Sequence, residues 1–119
     1  MPGARERRRS PRVAVDVPVE LRFTLDPAVR GRARSLSREG LFAETEEPRA
    51  PGTLVRVRLD VDCIEPVMAV GVVVRQVPPA DAAGGPRARR GVGILLTSTS
   101  EAWDRYWDDV TAQRRAGTA

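Results

Sequence analysis

Two short patterns in the sequence carry side chains that could bind an anion. The first is the arginine pair Arg8 and Arg12, four residues apart within RRRSPR. The second is the serine- and glycine-containing segment SLSREG at residues 35–40. A guanidinium group meets a phosphate or a guanine edge through parallel hydrogen bonds. Serine hydroxyls and turn N–H groups can also reach such a ligand, so the two patterns predict an anion-binding site.

The candidate ligand contacts come from both patterns and their neighbours. In the turn, a glycine at position 40 would allow a positive φ and close approach of the ligand. Arg38 and Arg75 are secondary candidates, and we interpret Arg38 as mainly solvated. The main candidates are Arg8, Arg9, Arg12, Ser35, Ser37 and Gly40.

The composition argues against catalysis and metal chemistry. The chain has 119 residues, no histidine and one cysteine, Cys63. Histidine-based acid–base pairs, Cys–His pairs and an internal disulfide are therefore excluded. We interpret the acids Asp60, Asp62 and Glu65 as a polar loop rather than a metal site. The sequence predicts a binding protein that is not an enzyme and has no cofactor.

Charge and hydropathy bear on location. The formal net charge is +4, and all 20 basic residues are arginine. No apolar run reaches the roughly 18 residues typical of a membrane span. The charged start MPGARERRR is not followed by the apolar run of a secretory signal. We therefore expect a cytoplasmic protein.

The elements that must position these residues are mostly strands. Residues 1–12 form a basic arm that we expect to be flexible. Apolar residues then alternate from Val15 to Leu25, which predicts a half-buried strand. Further strands are predicted near 29–36, 41–43, 55–61, 67–77 and 91–96, with loops at 46–52 and 78–89. This is an all-β pattern, a small antiparallel barrel over 13–97.

A helix is predicted after the last strand, over 98–113, with a disordered tail at 114–119. Ser98 and Glu101 fit the S-x-x-E capping pattern. The residues Trp103, Tyr106 and Trp107 follow at helical spacing. We interpret this aromatic stripe as core packing against the barrel rather than as a cofactor platform.

The whole layout resembles the PilZ domain family over roughly residues 7–112. The resemblance is carried by R-x-x-x-R, S-x-x-G-L-F, G-x-x-V-x-V-x-L from Gly52, A-V-G-V-V-V-R from Ala69 and G-V-G-I from Gly91. It implies a six-stranded β-barrel with a C-terminal helix, in agreement with the pattern above. It also implies binding of cyclic di-GMP, a bacterial second messenger, through the arm arginines and a [D/N]-x-S-x-x-G turn.

One position departs from the family pattern. Arg8 and Arg12 match the arm motif, and Ser37 and Gly40 match the turn, but Ser35 stands where the family has Asp or Asn. A serine hydroxyl is shorter and neutral, and it is a weaker acceptor for the N1–H and N2–H₂ groups of guanine. Losing a good base-edge contact costs about 1–3 kcal/mol.

Three functions follow as alternatives. The first is a cyclic di-GMP receptor that relays the signal to an unidentified protein partner, in motility, exopolysaccharide or gene-regulation machinery. The second is a degenerate PilZ adaptor that works by protein–protein contact alone. The third is a small-barrel nucleic-acid binder. The chain has only five aromatic residues, so few side chains could stack on bases, which argues against this function. The exposed barrel faces and the aromatic helix could support a homodimer.

Overall fold

The computed structural model describes residues 12–24, 26–77 and 90–118, with side chains up to residue 113. Residues 1–11 of the predicted arm, with Arg8 and Arg9, lie outside the described residues, as do Leu25 and the predicted loop at 78–89. The described residues form six strands and one helix: β1 (Val13–Phe23), β2 (Val29–Leu36), β3 (Gly40–Thr45), β4 (Leu54–Leu59), β5 (Val67–Val77), β6 (Gly91–Thr99) and α1 (Glu101–Thr118).

The strands close into an antiparallel barrel in the order β1-β2-β3-β6-β5-β4. Closure comes from β4, which pairs with β1 from Val19↔Leu59 to Phe23↔Val55. A closed barrel leaves no unpaired strand edge, which is the usual way for a small all-β chain to avoid edge-to-edge association. The predicted fold class, a six-stranded antiparallel barrel with a C-terminal helix, is confirmed.

The barrel interior is filled by the alternating apolar residues of the strands. Leu21, Phe23 and Val57 have no exposed surface. Val15 and Val17 are half-buried and pack against this core, on the face that the alternation predicted. The β1–β2 pairing shifts register between Ala14 and Val17, which marks a β-bulge near the start of the strand.

The helix begins where the last strand ends. Strand β6 runs to Thr99, beyond the predicted end at Leu96, because Thr99 still pairs with Ala69 of β5. Ser98 is therefore a strand residue, and its predicted role as the helix cap is wrong. Ser100 caps the helix instead: its Oγ accepts hydrogen bonds from the backbone N–H of Trp103 at 3.1 Å and of Met68 at 3.2 Å.

Helix α1 packs its aromatic stripe against the barrel. Trp103 and Trp107 are 2% and 7% exposed and belong to the same core as the strand residues, so their predicted packing role agrees with the structure. The helix reaches Thr118, past the predicted end near Gln113, into residues expected to form a disordered tail. Residues 114–116 are Arg-Arg-Ala, which favour helix. Within the described ranges no helix is long and apolar enough to span a membrane.

Candidate functional site

A cavity of about 620 Å³ lies on the outer surface of β2, β3, β6 and β5. Its volume is in the range of small-molecule binding sites. Five of the ligand contacts predicted from the sequence line it, together with seven residues that were not predicted as ligand contacts. The lining residues are Arg12, Ser35, Ser37, Glu39, Gly40, Leu41, Phe42, Val74, Arg75, Gly93, Ile94 and Leu95.

The floor of the cavity is one row of residues running across four strands. Ser35 of β2 is the cross-strand partner of Phe42 of β3. Phe42 pairs with Gly93 of β6, and Gly93 pairs with Arg75 of β5. Cross-strand partners lie about 5 Å apart. The barrel register therefore brings together residues that are far apart in the sequence.

Ser37 holds the turn between β2 and β3. It is buried, and its Oγ accepts a hydrogen bond from the Gly40 N–H at 3.1 Å while donating one to the Gly40 carbonyl at 3.3 Å. The Ser37 N–H also donates to that carbonyl, at 2.8 Å. The Ser37 hydroxyl therefore fixes the turn that borders the cavity, using its donor and one of its two acceptor positions.

Gly40 does not adopt the positive φ expected of it. Among the described glycines only Gly52 has a positive φ, so Gly40 does not occupy the left-handed region. A Cβ at position 40 would instead lie 2.4 Å from the backbone oxygen of Ile94 on β6. Glycine is needed here because β3 and β6 approach closely beneath the cavity.

Arg12 and Ser35 meet at one end of the cavity. The Arg12 Nη1 donates a hydrogen bond of 3.2 Å to the Ser35 Oγ. This contact uses one of the five N–H donors of the guanidinium group. Arg12 is exposed just before β1. It can therefore present further donors to a ligand while Ser35 holds it at the cavity.

Arg75 and Phe42 occupy the other end. The Arg75 guanidinium carbon lies 5.9 Å from the centre of the Phe42 ring, within the range of a cation–π contact. Gly93 separates their strands, and a Cβ on it would touch the Arg75 Cβ at 3.4 Å. The missing side chain at Gly93 leaves space above the row. Arg38 is exposed and does not line the cavity.

Two neighbouring arginines on β2 are engaged in ion pairs. Arg32 lies 2.6 Å from Asp16, and Arg34 lies 2.8 Å from Glu44 and 3.2 Å from Asp16. The hydrogen bond to Glu44 raises the pKa of Arg34. These side chains do not line the cavity. The cationic groups that the described residues supply to it are therefore Arg12 and Arg75.

Phe42, Glu39 and Gly93 were missed in the sequence analysis. Strand alternation could have located Phe42, because Leu41 and Ala43 are core residues and the residue between them must face outward. Glu39 lies inside the predicted turn, but it was not considered as a ligand contact. The placement of Gly93 in the cavity depends on strand register, for which the sequence has no local signal. In the described chain no group of three His, Cys, Asp or Glu residues is arranged to hold a metal ion.

Comparisons with known proteins agree with this architecture. A family model described as the PilZ domain matches residues 6–102. The chain is similar in structure to the inhibitor of motility MotI/DgrA from Bacillus subtilis, with a TM-score of 0.72, 12% identity, and coverage of 95% of this chain and 53% of that one. It is also similar to the PilZ domain with c-di-GMP of YcgR from Escherichia coli, with a TM-score of 0.64, 13% identity, and coverage of 95% and 99%.

These structural similarities are evidence for the fold. The chain spans about half the length of the Bacillus subtilis protein chain and nearly all of the Escherichia coli domain. No match is found among curated proteins.

Proposed function

The chain belongs to the PilZ domain family, and on that premise we propose that it binds cyclic di-GMP in the cavity and relays this signal to a partner protein. One observation carries the proposal: Arg12, Ser35, Ser37, Gly40 and Arg75 converge on a single cavity of small-molecule size. The structurally similar YcgR domain is described with c-di-GMP.

The chemistry of the cavity suits a ligand with two phosphates and two guanines. In the proposal, Arg12 donates charge-assisted hydrogen bonds to a phosphate, each worth about 1.5–3 kcal/mol. A guanine stacks on the Phe42 ring or on the Arg75 guanidinium plane. Arg8 and Arg9, which precede the described residues, are proposed to add phosphate or stacking contacts as the family resemblance implies.

Isothermal titration of the full chain with cyclic di-GMP tests this function. We expect the wild type to bind and Arg12→Ala to weaken binding roughly 10- to 150-fold, the equivalent of one charge-assisted contact. Arg58→Ala removes the same charge from β4, outside the cavity, and should change the affinity less than about twofold. A wild type that gives neither heat nor a shift in melting temperature would refute the proposal.

The adaptor function remains the second candidate because of Ser35. Its hydroxyl already accepts from Arg12, and no carboxylate or amide stands at that position. If the chain is an adaptor, the wild type does not bind the nucleotide, and Ser35→Asp or Ser35→Asn creates binding. Titrating wild type and Ser35→Asp side by side separates the two functions, because tight wild-type binding excludes the adaptor.

The proposed role is regulatory and non-catalytic, in the bacterial cytoplasm where the messenger acts. The partner is proposed to be a protein of motility or exopolysaccharide regulation. The similarity to a protein described as an inhibitor of motility supports this class of partner. Co-purification with and without cyclic di-GMP would show whether partner binding depends on the nucleotide.

A further inference from the structure

Glu39 brings a negative charge to a cavity whose other charged residues are arginines. It is the one acidic residue among those lining the cavity. Its side chain is exposed and makes no hydrogen bond or ion pair with the rest of the described chain. The proposed ligand is itself anionic. A carboxylate placed beside its phosphates would weaken binding by repulsion.

The backbone at Glu39 is held firmly. The Glu39 carbonyl accepts a hydrogen bond from the Leu96 N–H at 2.8 Å, which ties the turn to β6. The next residue, Gly40, is bonded to the Ser37 hydroxyl at 3.1 Å. The start of the Glu39 side chain is therefore fixed beside the cavity, while its length allows the carboxylate to reach a ligand placed there.

A carboxylate is useful in such a site only where the ligand presents hydrogen-bond donors. An ionised carboxylate has two acceptor oxygens and no donor. Guanine presents N1–H and N2–H₂ side by side on its Watson–Crick edge, and these match the two oxygens. Ser35 is poorly suited to this role, because its hydroxyl is short and already accepts from Arg12.

We propose that Glu39 is the group that recognises guanine in this site, in the role that Asp or Asn at position 35 would otherwise have. This inference rests on the proposed function and adds a specificity-determining residue to it. Adenine has a ring nitrogen lone pair at N1 and no N2 amino group, so the carboxylate would face an acceptor. Glu39 therefore favours cyclic di-GMP over cyclic di-AMP.

Titration of the full chain with both cyclic dinucleotides tests the inference. We expect Glu39→Gln to weaken cyclic di-GMP binding roughly 5- to 150-fold, the range for one bidentate base contact, and to leave cyclic di-AMP binding nearly unchanged or improved. Glu20→Gln, which removes the same charge from an exposed site on β1, is the matched control and should behave like the wild type. The double variant Glu39→Gln with Ser35→Asp should recover cyclic di-GMP affinity.

The outcomes separate the two proposals. If the wild type binds cyclic di-GMP and Glu39→Gln binds it equally or more tightly, Glu39 only repels the ligand and the inference is wrong, while the proposed function stands. If the wild type binds neither dinucleotide, the proposed function fails and the inference fails with it. Because Glu39 is exposed, an unchanged melting temperature of Glu39→Gln confirms that the comparison is between folded proteins.

Discussion

Phe42 is an aromatic side chain on the outer surface of the barrel. It is half-buried in the cavity wall, between Ser35 on β2 and Gly93 on β6. An aromatic face that borders a cavity and lies near a guanidinium group can stack on a nucleobase. At the scale of single residues, Phe42 is where the proposed ligand should gain most of its apolar contact.

Replacing Phe42 tests this role. Phe42→Leu keeps an apolar side chain but removes the ring, and we expect cyclic di-GMP affinity to fall by about 1–3 kcal/mol, the loss typical of one base–aromatic stack. Phe42→Tyr keeps the ring and should bind within about threefold of the wild type, a difference of about 0.6 kcal/mol. Titration calorimetry measures both. Equal affinity of Phe42→Leu and wild type would show that the base stacks elsewhere.

The elements of this protein were largely predictable because strand alternation is a local property. The bounds of β2 and β5 agree with the predicted ranges, and each begins and ends at a change of residue pattern. The helix cap was misplaced by two residues because the length of β6 depends on its pairing with β5. The row Ser35–Phe42–Gly93–Arg75 could not be derived, because register across four strands leaves no spacing signal in a single sequence.

One strand pairing carries unfavourable electrostatics. Arg22 of β1 and Arg56 of β4 are direct cross-strand partners, and both are exposed. Like charges in directly opposed positions destabilise a sheet. Neither side chain forms an ion pair within the described residues. The β1–β4 pairing that closes the barrel is therefore less stable than its geometry would allow.

Substitution of Arg56 should relieve this repulsion. We expect Arg56→Glu to raise the free energy of unfolding by about 0.2–1 kcal/mol, since it converts a repulsive pair into an attractive one. Arg56→Gln removes only the repulsion, so its free energy of unfolding should lie between those of the wild type and Arg56→Glu. Urea denaturation at low and high salt measures the effect, which should shrink as salt screens the charges. A less stable Arg56→Glu, or a gain independent of salt, would contradict the explanation.

At the scale of the whole molecule, the helix and the barrel share one core. Trp103 and Trp107 are buried with the strand residues. Tyr106 lies at the margin of this contact, and partial burial, together with the nearby Cys63, raises its pKa above the ordinary value near 10. Folding therefore favours the neutral phenol, so the stability of the helix contact depends on pH at the alkaline end.

The contribution of Tyr106 to stability decreases as the pH rises. Because the folded pKa of Tyr106 exceeds the unfolded one, its contribution to stability is complete below about pH 10 and is lost as pH rises through the folded value. We expect Tyr106→Phe to lose less stability than wild type between about pH 9 and 11.5. Cys63→Ser should partly reduce the dependence of stability on pH that the wild type shows. Chemical denaturation across this pH range tests both, and parallel curves for wild type and Tyr106→Phe would refute the assignment.

The row of residues across four strands also has a consequence for folding kinetics. Its members come together only after β2, β3, β6 and β5 have paired, and such long-range pairing is the slow part of folding for an all-β chain. If the chain binds cyclic di-GMP as proposed, a partly formed barrel offers the nucleotide only an incomplete cavity. Bound cyclic di-GMP would therefore slow unfolding and leave the folding rate almost unchanged. In this way the messenger would lengthen the lifetime of the folded protein.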